Sequence, residues 1–153
     1  MYGNNLNGPL PIELGELTSL HNLDLSENQF TGTIPTELNK LTKLTTFALH
    51  QTDGDLHGKL PAFDGLPHIS ELSLESNHFT GTIPSNFLGG ILDKTAMIEA
   101  SLGFNQLTGD IPSSLVGFDR MVLNLEGNKI TGYAGHCMKP KLLGFHASKN
   151  CLF

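Results

Sequence analysis

An eight-residue segment that returns at near-constant spacing constrains this chain more than any other feature. Asn28-Gln29-Phe30-Thr31-Gly32-Thr33-Ile34-Pro35 recurs as Asn77-His78-Phe79-Thr80-Gly81-Thr82-Ile83-Pro84 and as Asn105-Gln106-Leu107-Thr108-Gly109-Asp110-Ile111-Pro112. A weaker copy runs Asn4-Asn5-Leu6-Asn7-Gly8-Pro9-Leu10-Pro11. A degraded one, Asn128-Lys129-Ile130-Thr131-Gly132, replaces its Ile-Pro by Ala134-Gly135. Such a period marks a stacked array in which no unit can bury its apolar face alone and each buries it against its neighbours.

Upstream of each asparagine stands Leu-x-x-Leu-x-Leu, as in Leu20, Leu23 and Leu25 before Asn28 and Ile69, Leu72 and Leu74 before Asn77. The alternation of the last two predicts a half-buried strand. After the proline, a stretch such as Leu38, Leu41 and Leu44 leaves room only for a short helical or 3₁₀ turn. One repeat therefore reads as strand, bend and turn. Leu25, Leu49, Leu74, Leu102 and Leu125 are equivalent, so the steps are 24, 25, 28 and 23 residues. The third repeat carries Thr52 in place of the asparagine and adds residues in Gln51-Thr52-Asp53-Gly54-Asp55, and Gly89-Gly90-Ile91-Leu92-Asp93-Lys94 lengthens the fourth. Both insertions are expected as exposed loops. Gly89-Gly90 lacks the Lys-Ser/Thr of a phosphate-cradling loop and reads as flexible.

The repeated polar residues have structural explanations. Asn4, Asn28, Asn77, Asn105, Asn128 and Asn150 stand where the chain leaves the strand, where a carboxamide can satisfy backbone groups buried in the turn. Gly8, Gly32, Gly58, Gly81, Gly109 and Gly132 form a second column, expected where a β-carbon would clash or the backbone angle would strain it.

The pattern Leu-x-x-Leu-x-Leu-x-x-Asn-x-Leu-x-Gly-x-Ile-Pro resembles the plant-type extracellular leucine-rich repeat family, as in receptor-like kinases, receptor-like proteins and polygalacturonase inhibitors. The resemblance covers nearly the whole chain. It implies an α/β solenoid: a right-handed superhelix with a parallel β-sheet on its concave face and short 3₁₀ or helical turns on its convex face. It also implies a non-enzymatic surface that binds a protein or peptide, at an extracellular or cell-surface location. An amino-terminal cysteine-bearing cap, a signal peptide, a transmembrane helix, a kinase segment and Asn-x-Ser/Thr sequons are missing from the sequence. The chain is therefore expected to be a carboxy-terminal portion of such an array.

On this reading residues 1–135 hold about five repeats, the first partial, and residues 136–153 form a C-terminal cap with a last strand. Leu142, Phe145 and Ala147 before Asn150 repeat the strand pattern. A bond between Cys137 and Cys151 closes a loop of about 15 residues, worth roughly 3 kcal/mol in the chain-entropy model, and is similar to the cysteine-bearing caps of the family. The alternative is two reduced thiols acting as small buried hydrophobes, which fits an intracellular scaffold. At the other end Leu6, Leu10, Leu14 and Leu17 are expected to leave an apolar coil face open, either to upstream sequence or to self-association.

Repeat alignment places solvent-facing strand positions on the concave sheet: His21, Asn22, Asp24, Ser26 and Glu27; Thr45, Thr46, Ala48, His50 and Gln51; Ser70, Glu71, Ser73, Glu75 and Ser76; Glu99, Ser101, Gly103 and Phe104; and Glu126. Asp24, Glu27, His50, Glu71, Ser73, Glu75, Glu99 and Phe104 are the candidate ligand contacts. Their acidity points to a basic peptide or protein segment, with Phe104 as an aromatic anchor. The net charge of −6, from 9 Lys and Arg against 15 Asp and Glu, disfavours nucleic acid and anionic lipid. No apolar run is long enough to insert in a membrane. The histidines scatter over different repeats without metal or acid/base spacing, so neither a catalytic residue nor a cofactor or metal is expected. A second class of function is binding to ice or to a carbohydrate surface through outer strands. Thr31, Thr80, Thr108 and Thr131 form a column beside Thr33 and Thr82, interrupted by His57, Lys59, Asp110 and Tyr133.

Overall fold

A computed structural model describes residues 1–115, 117–133 and 141–143. Among these residues twelve short strands alternate between two faces: β1 (Asn7–Pro9), β2 (Asn22–Asp24), β3 (Gln29–Thr31), β4 (Thr46–Ala48), β5 (His57–Lys59), β6 (Glu71–Ser73), β7 (His78–Thr82), β8 (Met97–Ser101), β9 (Gln106–Ile111), β10 (Arg120–Asn124), β11 (Lys129–Tyr133) and β12 (Lys141–Leu143). The order β12-β10-β8-β6-β4-β2 makes one six-stranded sheet, the inner or concave one, and every described pairing in it is parallel. Outer strands form a second sheet, β11-β9-β7-β5, and a separate pair, β1-β3, bridged to it through Gly32 and Leu56. This is the leucine-rich repeat solenoid. Among the described residues no helix is long and apolar enough to cross a membrane.

Burial follows the repeat. Leu23, Phe47, Leu72, Ala100 and Leu123 lie opposite one another across the inner sheet, all at 7% exposure or less. Each fully buried side chain of this size contributes on the order of 1.5–3 kcal/mol. Phe63 packs tilted against Phe47 and edge to face with Phe87 at centroid distances of 5.9 and 6.0 Å, tying neighbouring repeats through the core. The 3₁₀ turns appear at Ile12–Glu16, Thr36–Lys40 and Ser113–Leu115. The repeats after Leu60 and Ile83 have none, contrary to the expectation of one after every proline. There Phe63 (φ 51) and Leu88 (φ 55) take left-handed backbone angles, ending helical winding while their side chains remain fully buried.

The asparagine ladder is built in both directions. Nδ2 of Asn77 donates to the carbonyls of Leu74 and Glu75 in its own repeat and to Leu49 in the preceding one; Asn105 and Asn128 do the same with their equivalents. On the acceptor side, Oδ1 of Asn28, Asn105 and Asn128 takes the backbone N–H of Leu6, Phe79 and Leu107 in the preceding repeat at 2.9–3.1 Å. Asn4 makes only the intra-repeat contacts, to Met1 and Tyr2, and is exposed. Thr52 keeps part of the function, because its hydroxyl donates to Asn77 Oδ1. Five of the six column glycines have φ between 74° and 91°, as the motif requires; Gly132 is not among the positive-φ residues and sits at a register irregularity of β11.

Several expectations need correction. The insertions are not simply exposed loops: Thr52 is buried in the first, and Ile91 is buried in the second. Gly90 packs so close that a β-carbon there would lie 2.0 Å from the Asp64 carbonyl. Lys94 Nζ rests 3.7 Å above the Phe118 ring, where burial lowers its pKa, and Asp93 accepts the Thr95 hydroxyl and N–H, which holds its carboxyl below the ordinary value. At the start of the chain Leu6 and Leu17 are exposed as expected, but Leu10 is buried and Leu14 packs on the core. The last strand pairs Leu142 with Leu123, whereas the repeat pattern would bring Phe145 to that place. Asn150, Cys137 and Cys151 lie outside the described residues, and with them the expected disulfide.

Candidate ligand-binding face

The inner sheet arrays its outward side chains in rows across the repeats. Strand register gives a first row of Asn22, Thr46, Glu71, Glu99, Val122 and Lys141, and a second of Asp24, Ala48, Ser73, Ser101, Asn124 and Leu143. Backbone bonds continue the ladder past the strand ends. The N–H groups of Glu27, Gln51, Ser76 and Phe104 donate to the carbonyls of His50, Glu75, Gly103 and Glu126, so Ser26, His50, Glu75, Gly103 and Glu126 form a third row.

Glu71 and Glu99 are direct register partners, two carboxylates side by side at the centre of the face. Like charges at such positions repel, and a cation between them relieves the repulsion. His50 is held between two serines: its Nδ1 lies 3.0 Å from Ser26 Oγ and 3.2 Å from Ser73 Oγ, and its own N–H donates to Ser26 Oγ. Asp24 and Ser73 thus stand in the row next to the Glu71–Glu99 pair, with Asp24 two strands from Glu71, and His50 and Glu75 stand in the row beyond.

Glu27 and Phe104 do not join that group. They belong to a fourth row at the rim, where the residue before each ladder position is left-handed: Glu27 (φ 52), Gln51 (φ 50), Ser76 (φ 58) and Phe104 (φ 53), with Gly3 and Gly127 at the two ends. Phe104 is 55% exposed and its ring lies against Gly127, where a β-carbon would come within 2.7 Å of it. Ser26, Ala48 and Gly103, expected to face solvent, are buried. Ser26 is 0% exposed because His50 covers it and its hydroxyl is engaged. Tyr2 and Asn124 were not foreseen. The Tyr2 hydroxyl donates to Glu27 Oε1 at 3.1 Å, a bond that together with the Glu27 charge raises the phenol pKa. Aligning the first repeat as far as Met1 would have found Tyr2, which precedes Gly3 as Ser26 precedes Glu27.

The outer strands do not carry straight threonine columns. Pairing there is offset from motif equivalence, so that Thr80 lies opposite Gln106, Thr82 opposite Thr108 and Lys59 opposite Thr80. Asp55 lies 3.4 Å from His57 and 3.5 Å from His78 on that face, all three exposed. Among the described residues no group of three or more His, Cys, Asp and Glu is arranged to hold a metal ion.

A family described as Leucine Rich Repeat matches the sequence at residues 19–41 and 68–89. No curated protein matches it. Among solved structures the chain is similar to a plant peptide hormone receptor, RGFR1 in complex with RGF2, at 34% identity and TM-score 0.76, covering 86% of this chain and 20% of the receptor chain. It is similar to a plant ice-binding protein at 32% identity and TM-score 0.74, over 85% of this chain and 41% of that one. It is also similar to a chain of the BIR3–SERK2 complex from Arabidopsis thaliana at 30% identity and TM-score 0.66, over 87% of this chain and 68% of that one. The chain thus spans about a fifth of the length of the hormone receptor and two fifths of the ice-binding protein. With the repeat, the two-sheet solenoid and these likenesses in agreement, the chain belongs to the plant-type extracellular leucine-rich repeat family.

Proposed function

We propose that the chain is a non-enzymatic recognition module whose concave sheet binds a basic peptide or protein segment, as part of a receptor-like or secreted surface protein. The observation that carries this reading is the Glu71–Glu99 pair at the centre of the sheet, with Asp24 and Glu75 in the neighbouring rows, while the basic residues of the sheet, Arg120 and Lys141, stand on its last two strands, β10 and β12. Charge complementarity steers and orients such a ligand. The likeness to a receptor solved with its peptide hormone supports the ligand class. The test is calorimetric titration of arginine-rich and glutamate-rich peptides of equal length. The basic peptide should bind, and Glu71→Lys with Glu75→Lys should weaken it at least about ten-fold, or about 1.4 kcal/mol, with the melting temperature nearly unchanged because Glu71 is exposed and Glu75 only half-buried. Equal affinity for both peptides, or no loss in the variant, would sink the assignment.

A second reading is ice binding by the outer strands, favoured by the likeness to the plant ice-binding protein. The offset register and the charged Asp55, Lys59 and Asp110 weigh against it. Inhibition of ice recrystallisation by the purified chain would establish it. Location is tested by a thiol count on native protein. Zero free thiols supports an oxidising extracellular setting, and two free thiols supports an intracellular scaffold.

A further inference from the structure

Beyond the concave sheet, the left-handed row builds a second concavity. Residues of the first four repeats enclose a groove of about 620 Å³, within the range of small-ligand sites, whose side chains include Asn5, Glu27, Gln29, Gln51, Asp53 and Ser76. Asn28 and Thr52 form its floor and are committed to the ladder. By contrast Asn5, Gln29, Gln51 and Asp53 are exposed.

Three features define what fits. First, no lysine, arginine or histidine lines the groove, which leaves nothing to neutralise a phosphate, sulfate or carboxylate. Second, every side chain that lines it is polar, so an apolar ligand gains little by entering. Third, carboxamides offer donor and acceptor together and carboxylates accept strongly, which matches hydroxyl groups that must both donate and accept. A bare divalent cation is disfavoured, since Glu27 already takes the Tyr2 hydroxyl and no three-ligand group exists among the described residues.

The backbone sets the spacing. Glu27, Gln51 and Ser76 occupy equivalent places in consecutive repeats and are joined by the continued backbone ladder, so they follow the strand separation of about 4.8 Å. That spacing is close to the length of one sugar unit in an extended chain. Glycine fills the left-handed position at Gly3 and Gly127, yet between them the row keeps side chains in a conformation unfavourable to them. Tyr2, 53% exposed, donates its hydroxyl to Glu27 and so holds one of the groove's carboxylates in place.

We infer that this rim groove binds a neutral polyhydroxylated chain, a linear glycan, with successive sugar units set against Glu27, Gln51 and Ser76. The site is separate from the concave peptide face, so its failure leaves that assignment standing. The test is native electrophoresis of the full chain in gels containing hydroxyethylcellulose, laminarin or polygalacturonate, followed by calorimetry with cellohexaose and laminarihexaose. Retardation by at least one neutral glucan is expected. Gln51→Ala with Asp53→Ala should weaken hexasaccharide affinity at least ten-fold at unchanged melting temperature, while Glu71→Lys with Glu75→Lys binds as wild type does. Absence of retardation by both neutral glucans, retardation by polygalacturonate alone, equal binding by the Gln51/Asp53 variant, or loss in the concave variant would each overturn the inference.

Discussion

The turns at Asn77 and Thr52 do the same job with different chemistry. Asn77 serves three carbonyls through Nδ2 and accepts from the preceding repeat through Oδ1. Thr52 has one hydroxyl, and spends it on Asn77. The third repeat survives because the carbonyls an asparagine at position 52 would have served already have donors. Leu25 O is met by Asn28, Leu49 O by Asn77, and His50 O by the Glu27 N–H. The ladder is therefore redundant at single rungs, and its tolerance depends on the rungs beside a gap.

That comparison can be broken by mutation. Asn77→Ala should have the largest effect, about 3 kcal/mol in urea unfolding, because it strands the buried Leu49 carbonyl and the Thr52 hydroxyl at a place whose neighbour is already reduced, while the Leu74 and Glu75 carbonyls keep Asn105 and the Gln51 N–H. Asn105→Ala, flanked by intact asparagines, should cost less, about 2 kcal/mol. If the two losses were equal, redundancy between rungs would be disproved. Thr52→Ala should cost about 1 kcal/mol, and a double-mutant cycle with Asn77→Ala should show coupling of similar size. Asn4→Ala, at an exposed rung, should change stability by less than about 0.5 kcal/mol.

What the sequence made legible was whatever the repeat enforces by residue type. The leucine positions, the asparagine column and most of the glycine column are each selected by one demand, burial, hydrogen bonding or a positive φ. Repeat alignment lined up Glu27, Gln51, Ser76 and Phe104, but their left-handed backbone was not legible, because they share no side-chain chemistry that demands it. Ser26 reads as a surface residue because its burial comes from His50 in the next repeat. The outer-strand offset is equally silent, since pairing there is set by how coils stack and not by motif alignment. The outward strand positions of Glu71 and Glu99 were readable, but their adjacency required strand register.

The ladder also has a direction. Every described ladder asparagine from Asn28 onward reaches back to the repeat before it. Deleting a unit from the amino-terminal side leaves an asparagine with idle bonds that water fills, whereas deleting one from the other side removes the acceptor for an N–H in the turn that remains. Gene duplication that lengthens such an array is then asymmetric: units join freely at the leading end, and lineages should differ more in how many they place there than in how they finish.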